Sequence, residues 1–436
     1  MKYSISALLL AICVLVASAP AFADMKGDTK DSAVKYYAKS YESTDIAYYM
    51  DKVKEVFFND EFKAEHPMAG LFEGILTVAG YFAIERYDIE YKVERGMMTC
   101  NETMTLNADY PESFVSRYMA VPNGDWRFDQ FLSDDDYIFL MAINGFKEKG
   151  DIFKDYMMEV GKIANEASGG EANMNLGPLA MLQLDAEMFA PLGDELDIVI
   201  FDSLDITREP QGPEDFNAAI MIPVDDYKGA MELVGMAGGM LGFDAKKPGF
   251  STFGWSFYPV MGTTAAIGIS HDWLVMVTNY KKFVDIARMA PSKTHAALPN
   301  GSTYLRIDVD RLYNEMGKPA IAMLKEENPN SLEPQFAQLF DIKPGTDLGA
   351  ITIFESHGKF KSQSTTTMDD DVFNLIAYAF GIVMESIIAE KMGMGMGCDD
   401  YPDYPVMSPP APDDNAAGGR DEEVPLKDAG AGNVYF

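Results

Sequence analysis

The chain has 436 residues, with 68 acidic against 35 basic side chains and a formal charge of −33. So acidic a surface excludes general binding to phosphate backbones or to anionic lipid. With 47% hydrophobic and 12% aromatic residues the chain is not wholly disordered, and its length predicts two domains or one repeated architecture.

The first residues read as a secretory leader. Lys2 supplies the positive start, Ala7 to Val16 the short apolar run, and Ala21-Phe22-Ala23 the cleavage motif, so that Asp24 begins the mature chain. The apolar run falls short of the ~20 residues a membrane span needs. Lipidation at Cys13 is disfavoured because Ile12, just before it, is not small. These features predict an exported protein, periplasmic or extracellular, with no transmembrane segment in the mature chain.

Residues 24–40 are polar and predict a frayed start. Ile46, Met50, Val53 and Phe57 recur at helical spacing and predict an amphipathic helix over Asp45–Phe58. Pro67 suits the first turn of a second helix reaching about Ala83, and its all-round apolar sequence predicts burial. The period then becomes two: Glu85–Tyr91 and Met98–Asn107 form a hairpin about Gly96, with one polar face. Pro111 opens a short helix to about Met119. Tyr137–Ile143 is a strand and Lys147–Ala167 a helix, stopped by Gly169-Gly170.

Asp197–Asp202 and Asn217–Ile222 are apolar strands joined by the polar loop ITREPQGPED. Asp225-Asp226 caps a helix over Tyr227–Leu241. Phe250–Tyr258, Thr263–Ile269 and Trp273–Thr278 predict a meander, followed by a helix at Tyr280–Met289. Thr303–Val309 is a strand and Leu312–Glu327 a helix. Gly349–Glu355 and Lys359–Met368 form a last hairpin. Asp369-Asp370-Asp371 caps a long apolar helix, Val372–Lys391, and the remainder is rich in Gly, Pro, Asp and Ala.

Two stretches echo each other. Aligning ERGMMTCNETMTL (94–106) with SHGKFKSQSTTTM (356–368) at Gly96 and Gly358 sets Thr103 on Thr365 and Thr105 on Thr367. DDDYIFLMAINGF (134–146) likewise resembles NGSTYLRIDVDRL (300–312). The expected fold is α+β: mainly antiparallel sheets with helices packed on one face, and an internal repeat of strand-hairpin plus helix units. The expected division is a leader (1–23), a helical N-terminal segment (24–84), a first α+β repeat (85–190), a second α+β region ending in the repeated hairpin and apolar helix (191–391), and a disordered tail (392–436).

FAPLGDELDIVIFD, FNAAIMIPVDDYKGAMELV, AAIGISHDWLVMVTNYKKFVDIA and LPNGSTYLRIDVDRLY follow one another between Leu184 and Tyr313. Their order and patterning resemble the exported bacterial family known as domain of unknown function 3352. The resemblance covers about a third of the chain and carries no catalytic residue. It implies location and fold, and it names no activity.

The chain lacks H-E-x-x-H, G-x-S-x-G, Walker and C-x-x-C signatures. Of its four histidines, His66, His271, His295 and His357, the first precedes a helix, His271 leads into a strand and His357 sits in a hairpin turn, ordinary surface or turn positions. With 68 acidic residues, close carboxylate pairs are inevitable and carry no signal. Asp134-Asp135-Asp136 and Asp369-Asp370-Asp371 lack the spacing of a calcium loop and read as a solvated turn and a helix cap. Met392, Met394, Met396 and Cys398 offer soft ligands suited to Cu(I), but a glycine-rich helix end in a chain of 29 methionines explains them as well, and no metal or cofactor is expected. Cys100 and Cys398 are the cysteines of the mature chain, bonded or as two thiols.

Two helices stand out. Met231, Met236 and Met240 line a methionine- and glycine-rich surface on one, and Leu375, Tyr378, Phe380 and Met384 an apolar face on the other. The functional expectation is a non-catalytic exported module that binds an apolar or amphipathic ligand, an apolar small molecule or lipid, against these helices. The alternative is a structural or assembly protein of the envelope whose helices form homo-oligomer contacts; an enzyme is the least favoured reading.

Overall fold

In the computed structural model the described residues are 40–66, 68–94, 96–167, 189–202, 217–260, 262–289, 298–319, 322, 348–369 and 372. The chain opens with β1 (Ser40–Asp45), α1 (Ile46–Phe57), α2 (Asp60–Glu65) and α3 (Met68–Ala79). The hairpin β2 (Ile84–Glu94) and β3 (Met97–Leu106) follows, then α4 (Phe114–Ala120), β4 (Phe139–Asn144) and α5 (Phe146–Ala167). Next come β5 (Glu195–Asp202), β6 (Asn217–Pro223) and α6 (Tyr227–Leu241). The meander is β7 (Phe250–Thr252), β8 (Trp255–Pro259), β9 (Ala266–Ile269) and β10 (Trp273–Val277), and α7 spans Tyr280–Met289. The last elements are β11 (Thr303–Asp308), α8 (Val309–Leu312) with a π-helical turn at Tyr313–Gly317, β12 (Ala350–Gly358) and β13 (Lys361–Asp369).

All thirteen strands join one antiparallel sheet, ordered β1-β2-β3-β13-β12-β11-β4-β5-β6-β10-β9-β8-β7. The class is mixed α+β. Helices cover both faces of the sheet where β5, β6 and β10 run. Val199, Met221 and Val275 turn one way, against Phe283 and Ala287 of α7 and the aromatic segment Trp126–Tyr137. Ile222 and Ile269 turn the other way, against Ala230 and Val234 of α6. The expected one-faced packing is therefore corrected here. Strands buried on both sides carry continuous apolar runs, as DIVIF and AAIMI do.

The two echoing hairpins meet. β3 pairs with β13, setting Thr99, Asn101, Thr103 and Thr105 opposite Thr367, Thr365, Gln363 and Lys361. Thr365 Oγ1 donates to Asn101 Oδ1 at 3.0 Å. The run β1-β2-β3-β13-β12-β11 reads as strand, hairpin, hairpin, strand about this seam. Asp45 ends β1 and its Oδ1 accepts from Tyr48 N; Asp308 ends β11 and its Oδ1 accepts from Arg311 N. The turns are closed by Glu94–Met97 and by Gly358–Lys361, so the hairpins match two residues away from the Gly96–Gly358 alignment. An even shift keeps the threonines on the same face.

Three other expectations change. Ser40–Asp45, of which only Ser40 fell in the start expected to fray, is an edge strand paired with β2. The apolar helix α3 buries only Ala69 and Ala79, while Met68 and Phe72 stand about half exposed. It packs sideways on α5, where a side chain at Gly74 would meet Ile163 at 3.0 Å. The strand expected over Phe250–Tyr258 is broken into β7 and β8 by a two-residue turn, with Phe253 at φ 49 and Gly254 at φ 81. Such a turn wants Asn or Gly first, and Phe253 is exposed with nothing to gain from its ring. Phe253→Asn is expected to raise stability by about 0.5–1 kcal/mol in urea unfolding. A loss of stability would contradict this account of the turn.

Residues 24–39 of the start expected to fray, Pro67, the ITREPQGPED loop, Gly169-Gly170, residues 320, 321 and 323–327 of the helix expected over Leu312–Glu327 and all but the first residue of Val372–Lys391 lie outside the described residues, as does the tail.

Candidate functional site

The helices α3, α4 and α5 enclose a cleft of about 280 Å³. Its floor is apolar: Val78 of α3, Phe114 of α4, and Ile152, Tyr156 and Met158 of α5. Ile152 and Tyr156 fall one turn apart on α5, as Phe114 and Tyr118 do on α4, so each helix presents one stripe. Phe114 packs on Tyr156 with ring centroids 4.8 Å apart, and burial raises the Tyr156 phenol. Ser113 caps α4 by accepting from Ser116 N at 3.3 Å. Gly80, at φ 97, lets the chain pass Ser113: a Cβ there would lie 2.7 Å from its hydroxyl.

The rim is charged. Glu112, Arg117, Asp155, Glu159 and Lys162 surround the opening. Arg117 Nη2 reaches Asp155 Oδ2 at 2.7 Å, and Lys162 Nζ reaches Glu159 Oε2 at 2.7 Å. These pairs are largely in water and each contributes at most about 1 kcal/mol. They set the character of the rim more than its stability.

Beneath the floor lies a buried polar cluster. Lys149 of α5 donates from Nζ to Ser302 Oγ at 2.6 Å and to Ser302 O at 3.0 Å. Ser302 Oγ stands 2.9 Å from His357 Nδ1, and His357 Nε2 lies 3.8 Å from Glu355 Oε2. Asn123 holds His357 by its backbone, donating to His357 O at 2.9 Å and accepting from His357 N at 2.8 Å. Tyr118 joins cluster to cleft: its ring lies 5.0 Å from Lys149 Nζ and 5.7 Å from the His357 ring, and Phe114 stacks above it at 5.6 Å. Burial lowers the Lys149 ammonium to about 8, against the pull of Glu355 and Asp194. Burial also pushes Glu355 upward, but His357, Thr303 and Lys149 together hold it below the ordinary carboxylate value.

Lysine, serine, histidine and glutamate are the residue types of a nucleophilic site. The geometry here favours a structural tie. Ser302 has no exposed surface and does not line the cleft. Its hydroxyl is held between Lys149 and His357, and its backbone is bonded on both sides, to Glu355 O and from Asn144 N. The cluster fixes α5 and Tyr118 to the ends of β11 and β12, and so fixes the cleft floor.

A second buried group sits on β5. Glu195 and Asp197 share one strand face and expose 2% and 0% of their surfaces. Glu195 accepts from Arg127 N at 2.7 Å and from Phe128 N at 2.9 Å. Neither oxygen of Asp197 has a hydrogen-bond donor. Burial, then the Glu195 charge, drives Asp197 well above the usual carboxylate range. Burial raises Glu195 as well, against the two backbone donors. Burial therefore favours the protonated form of Asp197 beside the Glu195 carboxyl, and neither residue lines the cleft.

Met231 packs partly buried on the second core, whereas Met236 and Met240 are 51% and 87% exposed. The buried residues of α6 are Ala230, Val234 and Gly238. Leu375, Tyr378, Phe380, Met384, Met392, Met394, Met396 and Cys398 lie outside the described residues. Cys100 is buried on β3. Among the described residues no group of three His, Cys, Asp or Glu could hold a metal, and no helix is long and apolar enough to cross a membrane. His357, expected in a surface turn, has a side chain only 4% exposed. One signal pointed to the cluster: Lys149 falls in phase with Ile152 and Tyr156, on the apolar stripe of its helix.

No family model, curated protein or solved structure matches the chain.

Proposed function

We propose that the protein is an exported binding module for an amphipathic ligand, held in the cleft between α3, α4 and α5. The observation that carries this reading is the cleft itself: an aliphatic and aromatic floor under a charged rim, at about 280 Å³. That volume is near the lower end of small-molecule sites, so it suits one short chain or ring. The cleft moves the ligand away from the methionines of α6. The leader motif and the resemblance over Leu184–Tyr313 support export, and the ligand reading does not depend on either. Internal duplication, supported by the seam of β3 and β13 and by the twin caps Asp45 and Asp308, would make this cleft a feature of the first unit.

The test is calorimetric titration of single-chain amphiphiles below their micelle concentrations. One site is expected, and Met158→Trp, which fills the cleft from a half-exposed position, should weaken binding by about tenfold or more. Unchanged affinity in that variant, or no binding to the native protein, would overturn the reading.

One observation favours the scaffold alternative. Tyr48, Tyr49, Val56 and Phe57 of α1, with Met68 and Phe72 of α3, are each at least half exposed. Such apolar exposure marks interaction surfaces. A concentration-dependent oligomer without any amphiphile binding would place that reading first.

A further inference from the structure

The rim assigns a charge to the ligand; the argument rests on the cleft being a binding site. Three carboxylates, Glu112, Asp155 and Glu159, face two cations. Both cations are already taken, Arg117 by Asp155 and Lys162 by Glu159, each at 2.7 Å. Glu112 is exposed and forms no ion pair among the described residues. An anionic head group would have to displace a carboxylate to reach either cation, and would approach a chain of net charge −33. A cation meets one unpaired carboxylate.

The floor adds a second, independent attraction. Phe114 and Tyr156 lie at 4.8 Å with rings tilted by 38°, and both line the cleft. A ring face attracts a cation within about 6 Å, most strongly when water is excluded. Quaternary ammonium groups suit such a place because they are weakly hydrated and donate no hydrogen bonds. We propose that the ligand is a cationic amphiphile. Its ammonium head lies against the Tyr156 ring with Glu112 as counter-charge, and its apolar part lies against Phe114, Ile152 and Val78.

The probes are decyltrimethylammonium, decyl maltoside and decanoate, each below its micelle concentration, with tetramethylammonium alone to isolate the head. Decyltrimethylammonium should bind at one site, about tenfold tighter than the maltoside, and decanoate weakest. Glu112→Gln and Tyr156→Leu should each weaken the ammonium about three- to tenfold, and Glu112→Gln should leave the maltoside unchanged. Glu232→Gln on exposed α6 makes the same change in net charge away from the cleft; it should change nothing. Equal losses in Glu112→Gln and Glu232→Gln would reduce the preference to general attraction by an acidic surface and overturn the proposal. Maltoside binding as tight as the ammonium, lost in Met158→Trp, would overturn the head-group assignment and leave the cleft reading intact. Binding of all probes that ignores Met158→Trp would overturn both.

Discussion

Replacing Lys149 by methionine should destabilise the protein by about 2–4 kcal/mol, because the variant loses two charge-assisted hydrogen bonds to Ser302 at a site 4% exposed. Methionine keeps most of the stem and its packing, so the loss reports the ammonium. Relief from burying a charge offsets part of it, which is why the estimate stays below the cost of stranding a buried ion. Urea unfolding at neutral pH measures the difference. A pH series adds an independent readout. The folded Lys149 titrates near 8 and the unfolded one near 10.5. Between these values the unfolded chain holds a proton that the folded chain has released. Stability therefore gains a rising contribution with pH across that window. Lys149→Met should lack it. A variant as stable as the native protein, with the same alkaline slope, would show that the ammonium does not tie α5 to β11.

The second large effect has the opposite sign. Asp197 is fully buried and its folded carboxyl titrates well above the ordinary range, for reasons of burial first and the Glu195 charge second. A raised acid contributes stability that is complete below the unfolded value and is lost as pH rises through the folded one. The native protein should weaken as pH rises from about 4 toward neutrality through this pair. Asp197→Asn keeps the shape of the side chain and removes the buried acid beside Glu195. It should be about 1–3 kcal/mol more stable than the native protein at pH 7, with that advantage gone near pH 4. Thermal unfolding across this range decides it. Equal destabilisation at both pH values would mean that the buried charge of Asp197 is not what weakens the protein as pH rises.

Much of the fold could be read from periodicity. α1 follows the spacing of Ile46, Met50, Val53 and Phe57, and α6 starts where Asp226 caps it and ends at Gly242 in the left-handed conformation. The apolar runs at β5 and β6 announced central strands. What stayed hidden has physical reasons. β1 reads SYESTD, with no apolar face, because an edge strand held by backbone pairing with β2 need not bury one. The β7–β8 turn carries Phe where a turn residue belongs, so no local signal marks it. The second covered sheet face depends on Trp126–Tyr137, a segment without regular spacing. The cleft and the cluster below it join residues from 78 to 357, brought together only by sheet order. Lys149 and Asp197 were visible as polar residues in apolar phase, but their partners were not.

The proposed ligand site is the cleft of α3, α4 and α5. Hydrogen–deuterium exchange with and without decyltrimethylammonium tests this most directly, because it reports location as well as binding. Added protection is expected in 112–118 and 152–162, with α6 and its exposed methionines unchanged. Protection confined to α6, or spread evenly over the acidic surface, would contradict it.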